Sequence, residues 1–201
     1  MENNDSFNDN IVGITFNKPS SWYFLSTGNI QESKRKQILA PESGEMEEEF
    51  GMSKDELLEI LGDPLCVITK YDPDDSSSQG EFSPTITIQA TLKETVLGLW
   101  GNETFEDVIN SSLDNTSEIL EDFTLLKEYG PSNIDGKKSY EFDSSYTFKH
   151  EELQNPIKVE LKTIKIETSI FFIDINFHSS KEVNEQCEKE FIEFINSISL
   201  K

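Results

Sequence analysis

The sequence predicts an α+β fold in which an antiparallel β-sheet is flanked by helices on both faces, an αβα sandwich. Three observations carry that reading. Late in the 201-residue chain, the runs Tyr140 to Phe148, Ile157 to Ile166 and Ile170 to Phe177 follow one another with alternating polarity. They lead straight into an amphipathic segment, Val183 to Ile198, whose residues Val183, Cys187, Phe191 and Ile195 make a helical stripe. In the last run Phe171, Ile173, Ile175 and Phe177 share one face while Ile170 and Phe172 start the other, the pattern of a strand covered on both sides.

Taken in order, residues 1–10 read as a flexible polar leader, and residues 11–201 as a single domain whose core draws on fourteen Phe and two Trp. Val12, Ile14 and Phe16 alternate within a strand from Ile11 to Phe16. Lys18 to Ser21 turn the chain, and Trp22 to Leu25 begin a second short extended piece. Residues 28–50 form an insertion, with the basic Lys34, Arg35 and Lys36 followed by the acidic run Glu45 to Glu49, read as a helical turn plus a solvated loop. Ser53 and Glu56 make a capping-box signal for a short helix that Gly62, Asp63 and Pro64 stop.

Strands are expected at Leu65 to Tyr71 and Thr85 to Leu92, separated by the turn-rich stretch Asp72 to Gly80. Thr104 with Asp107 opens a second helix, with Phe105, Val108, Ile109, Ile119 and Leu120 at helical spacing. A strand from Phe123 to Tyr129 and a turn at Gly130 to Asn133 then lead into the meander.

Charge narrows the partners. Against 39 acidic residues stand 17 basic ones, a formal charge of −22 that repels phosphate backbones and anionic lipid surfaces. Nucleic acid and membrane surfaces are therefore not the expected partners. Only Arg35 supplies a guanidinium, so a phosphate or carboxylate site would have to use Lys or backbone amides. Cys66 and Cys187 both fall at apolar positions and read as small buried hydrophobes, bridged only if the last helix crosses the strand of Cys66. No apolar stretch has signal-peptide or membrane-spanning length, so the chain as written reads as cytoplasmic. Its polar start is also what the linker of a trimmed exported protein looks like, which keeps a periplasmic or lipoprotein setting as the alternative.

No motif assembles catalytic chemistry. Asp72, Asp74 and Asp75 begin like a calcium loop, but Ser77 and Ser83 stand where an EF-hand needs Gly and Glu. His150 and His178 have no Cys or His at ligand spacing and read as surface histidines, so neither a transition metal nor any other cofactor is expected. Nucleophile-elbow and Gly-rich phosphate motifs are missing. Trp22, Tyr23 and Trp100, expected to be partly exposed, are the candidate binding residues beside the competing account that they pack in the core.

The segment Ile14 to Trp22, a strand running into Pro19 and then Trp22, resembles the opening motif of the PsbP-like superfamily. The helix beginning Thr104, Phe105, Glu106 and Asp107, the meander segment Gly136 to Phe142 and the final Phe194 to Ile198 are similar in order. That superfamily includes extrinsic photosystem II proteins, a Ran-binding nuclear-import factor and many small bacterial proteins and lipoproteins. The resemblance implies the sandwich and carries over no catalytic residue. The expectation is a non-catalytic, acidic module that binds a protein with a basic surface. The alternative is an envelope lipoprotein-type domain, or a small-molecule or lipid carrier with a pocket between sheet and helix.

Overall fold

The computed structural model describes residues 5–26, 64–75, 82–100, 104–149, 155–180 and 184–201. They form an α+β fold with two antiparallel sheets. The expected insertion at 28–50, the short helix after Ser53, and His150 lie outside the described residues.

Strand β1 (Ser6–Asp9) pairs with β2 (Ile14–Asn17), and the C-terminal β10 (Ser199–Leu200) closes the other side of β2. Part of the supposed leader is thus a strand. Phe7, alone among polar residues, supplies the reason by stacking on Phe16 at 4.9 Å between ring centroids. Strand β2 starts later than its alternation suggests because the Asp9 carboxylate accepts from the Ile11 and Val12 amides at 2.8 and 2.9 Å and bends residues 11–13 into a turn.

The large sheet has the order β3-β4-β5-β9-β8-β7-β6. Its members are β3 (Tyr23–Phe24), β4 (Cys66–Thr69), β5 (Thr85–Leu92), β6 (Thr124–Ile134), β7 (Lys137–Phe148), β8 (Ile157–Glu167) and β9 (Phe171–Ser180). The meander β7-β8-β9 stands where the alternation placed it. Strand β6 does not stop at Tyr129. It runs through Gly130 and Pro131, with register shifts between Leu125 and Lys127 and between Glu128 and Gly130. An edge strand tolerates this, since the missing Pro131 amide and the positive φ of Gly130 break only one side of a ladder. The true hairpin turn is Asp135-Gly136, both with φ above zero, as a two-residue turn of the strand-matching hand requires. Asn133 Oδ1 accepts from the Gly136 amide at 2.8 Å and holds it.

Helix α1 (Lys93–Trp100), unforeseen because no capping residue precedes it, continues directly from β5. It is held instead from outside: the Lys93 amide donates to the Ile170 carbonyl, and its Nζ reaches Glu167 at 2.5 Å. Helix α2 (Phe105–Ile119) has the expected capping box, with Thr104 Oγ1 accepting from the Asp107 amide and Asp107 Oδ2 from the Thr104 amide. Helix α3 (Asn184–Asn196) buries Cys187, Phe191 and Phe194.

The main core joins Ile14 and Phe16 of β2, Ile68, Ile86, Ile88, Ile164, Ile166, Ile173, Ile175 and Phe177 of the large sheet, and the inner stripe of α3. Cys66 and Cys187 are both in this cluster, buried and free, and burial alone pushes the Cys66 thiol up to about 12. A second cluster gathers Val96, Phe105, Val108 and Ile109 with Phe172, and a third Tyr146, Val159 and Leu161 with Leu120.

Neighbouring residues on α3 give a sharp test of this packing. Phe191→Ala, which removes a ring stacked on Phe177, is expected to cost about 3–5 kcal/mol. Ile192→Ala, at a position 53% exposed, is expected to stay within about 0.5 kcal/mol. Urea unfolding midpoints of the two variants check this, and equal losses would refute the placement of α3.

Candidate functional site

The three aromatic candidates part company. Trp22 is 1% exposed, so the expectation of a partly exposed ring is corrected: it belongs to the main core. Tyr23 is 41% exposed on β3 at one edge of the large sheet. Trp100 closes α1, and its side chain lies outside those described. Trp22 and Tyr23, though consecutive, therefore do not present one exposed aromatic surface.

Burial of Trp22 demands a partner for its indole N–H, and Glu190 of α3 supplies it. Nε1 donates to Glu190 Oε2 at 2.9 Å, Lys70 Nζ donates to the same oxygen at 2.6 Å, and Gln186 donates to Oε1 at 3.1 Å. Lys70 also lies 5.5 Å from the centroid of the Trp22 ring. Burial works against the Glu190 charge, but these donors outweigh it and hold the carboxyl below its ordinary range. Beside it the Cys187 thiol is raised by burial, with Lys70 acting in the opposite sense. Every polar member of this cluster has a partner, so it anchors α3 rather than presenting a reactive group.

His178 is likewise not the surface histidine expected. Its Nδ1 lies 3.1 Å from the Tyr146 hydroxyl, the two rings meeting edge to face. Burial lowers the imidazole from 6.5 to about 4, so the ring is neutral at physiological pH. A neutral imidazole against a phenol raised to about 12 by burial is a pair for packing, with no nucleophile within reach among the hydrogen bonds of either side chain.

A more open feature lies on the flank toward β6. A recess of about 120 Å³ is lined by residues of the four neighbouring strands β6 to β9 and α3, among them Leu126, Asp143, Glu160, Lys162, Phe177 and Glu188. Lys162 Nζ lies 3.1 Å from Glu141 and 2.9 Å from Asp143 Oδ1. Burial opposes the Lys162 charge, yet the two carboxylates more than offset it and raise the ammonium above the ordinary lysine range. Tyr129 leans over this pair, its hydroxyl donating to Asp143 Oδ2 at 2.6 Å and its ring 4.1 and 4.8 Å from the Lys127 and Lys162 ammonium groups. Asp143 Oδ1 is shielded from water and has the Lys162 ammonium at 2.9 Å as its ionic partner. Sequence reasoning missed the recess because its residues come from strands paired across the sheet. The one local signal was the exposed pair Leu125 and Leu126 in a strand otherwise polar.

Among the described residues, no group of three or more His, Cys, Asp or Glu side chains is arranged to hold a metal, and no helix is long and apolar enough to cross a membrane. No protein-family model and no curated protein matches the chain. Among solved structures, LpqN of Mycobacterium tuberculosis, involved in cell envelope biogenesis, aligns at a TM-score of 0.54 with 13% identity, over 94% of this chain and 83% of its own. Cyanobacterial PsbP (CyanoP) from Synechocystis sp. PCC 6803 aligns at 0.50 with 10% identity, over 98% and 91%.

The chain has the PsbP-like fold. At these identities the likeness concerns architecture, and within the PsbP-like frame the Trp22 to Glu190 link, the His178 pair and the recess beside Glu188 are features of this chain's own residues.

The His178 environment makes a signed pH prediction. The folded value lies below the unfolded one, so protonation favours the unfolded chain: the contribution is complete above about pH 6.5 and is lost as pH falls toward 4. Denaturant midpoints followed from pH 7 to 5 should decline in the native chain and decline less in His178→Gln. Parallel slopes would show that His178 is not held neutral by burial.

Proposed function

We propose that this chain is a non-catalytic, strongly acidic binding module that docks a protein with a basic surface. The observation that carries the reading is how the positive charge is arranged. Lys18, Lys70, Lys93, Lys138, Lys149, Lys162 and Lys165 each pair with one of the chain's own carboxylates. With a net charge of −22, lysines already occupied internally leave the surplus carboxylates facing outward. Such a field accelerates encounter with a basic partner and repels acidic ones.

We also infer that helices cover both faces of the large sheet. Ile173 and Ile175 of β9 belong to the cluster with α3, whereas Phe172, one residue out of phase, stacks on Phe105 of α2 at 5.8 Å. Leu120, at the end of α2, packs against the cluster of Tyr146 and Leu161. Among the described residues, this layering leaves the β6 flank exposed.

For the carrier reading, the recess beside β6, about 120 Å³, is itself too small for a ligand pocket of about 300–1,000 Å³. The fold likeness to LpqN, a protein involved in cell envelope biogenesis, supports an envelope domain as the second reading.

Affinity capture from a native lysate at low and then raised salt tests the binding module. A basic protein retained at low salt and released as salt rises is the expected result. An empty capture at low salt would count against the proposal and move weight to the envelope reading.

A further inference from the structure

The flank of the large sheet beyond α3 is a groove. Helix α3 is seated over the sheet centre, where Phe191 stacks on Phe177 at 4.6 Å and joins Ile164 and Ile166 in one cluster. Strand β6 is the last strand of the sheet and is exposed along nearly its whole length. Between helix and edge strand the recess opens, with Glu188 on the α3 side and Leu126 on the β6 side. Ile192 follows Glu188 by one helical turn and so shares its side of α3.

Two properties distinguish this groove from a merely solvated acidic surface. Leu126 is 55% exposed and Ile192 is 53% exposed, large apolar side chains that a charged monomer gains nothing by leaving in water. The floor is also a formed ion pair shielded from water, with Lys162 Nζ 2.9 Å from Asp143 Oδ1. The rim is acidic, with Lys162 already engaged by Glu141 and Asp143.

The geometry also selects a mode of docking. Addition of a partner strand to β6 is discouraged by its two register shifts and by Pro131, which interrupt the outer edge as a template. A partner that uses its side chains in the groove needs no continuous edge. The recess is of a size for one side chain, not for a lipid or a nucleotide.

We propose that the groove between α3 and β6 docks a short basic segment of a partner protein. The segment places an apolar side chain between Leu126 and Ile192 and its lysine or arginine heads against Glu188 and Glu160. This site rests on the acidic binding-module reading and gives that module its location and its two-part specificity: charge draws the segment in, and the apolar anchor decides which segment stays.

The test uses the whole chain and two defined probes at low salt: the peptide acetyl-Lys-Leu-Lys-Lys-Leu-Lys-amide, and its all-lysine counterpart. Affinities are read by fluorescence polarisation and contacts by amide shift perturbation. The leucine-containing peptide should bind about tenfold more tightly than the all-lysine one, with shifts confined to β6, β7 and α3. Leu126→Ser and Glu188→Lys should each weaken it by about tenfold, whereas Glu94→Lys and Glu118→Lys, the same charge change on exposed positions of α1 and α2, should stay within about twofold. Circular dichroism confirms that each variant folds. If both peptides bind equally and all charge reversals weaken them alike, the groove is not the site, while the acidic binding module stands. If neither peptide binds, the module reading falls and takes the site with it.

Discussion

One continuous aromatic contact chain holds the layers of this protein together. Trp22 meets Phe177, Phe177 stacks on Phe191, Phe191 on Phe194, Phe194 packs edge-on against Phe16, and Phe16 stacks on Phe7, which reaches Phe24. Centroid separations along it run from 4.6 to 6.5 Å, the range in which ring pairs add to simple burial. The chain begins in the loop before β3, crosses the centre of the large sheet and α3, enters the small sheet and returns to β3.

Placing α3 on this chain has polar consequences. With Phe191 turned inward, Glu190 lies beside the buried indole of Trp22, and Lys70 must approach to balance the carboxylate. Glu188, on the preceding turn, lines the recess that β6 borders, and Ile192 is left exposed. The same helix therefore seals one part of the sheet with aromatic rings and edges the open part with a carboxylate and an isoleucine. Packing and candidate site are two sides of one amphipathic segment.

Much of the architecture was legible in the sequence, and the reasons are local. The meander is legible because apolar residues recur every second position along its strands, with Phe172 of β9 out of phase for the second face, and α2 announces itself through Thr104 and Asp107, whose capping bonds form within a single turn. The failures are equally physical. Strand β1 depends on Phe7 stacking on Phe16 across a turn, and α1 on Lys93 finding Glu167 and Ile170 far along the chain, contacts that periodicity does not announce. Gly130 and Pro131 looked like a turn because their chemistry suits one, yet at a sheet edge the same chemistry makes a bulge. The Asp135-Gly136 turn was readable from its residue types and was overlooked beside the stronger Gly-Pro signal.

The sequence by itself determined the α+β class, the meander and its closing helix, the PsbP-like resemblance, and a strongly acidic charge. Each follows from periodicity or composition, which act along the chain. Tertiary structure alone decided that Trp22 is sealed in the core, that His178 is neutral against Tyr146, and that Leu126, Asp143 and Glu188 meet around one recess. Those outcomes depend on which strands become neighbours and where α3 comes to rest. Such neighbours are set by long-range burial across the sheet, and the same residue type can be core, edge or groove according to what arrives opposite it.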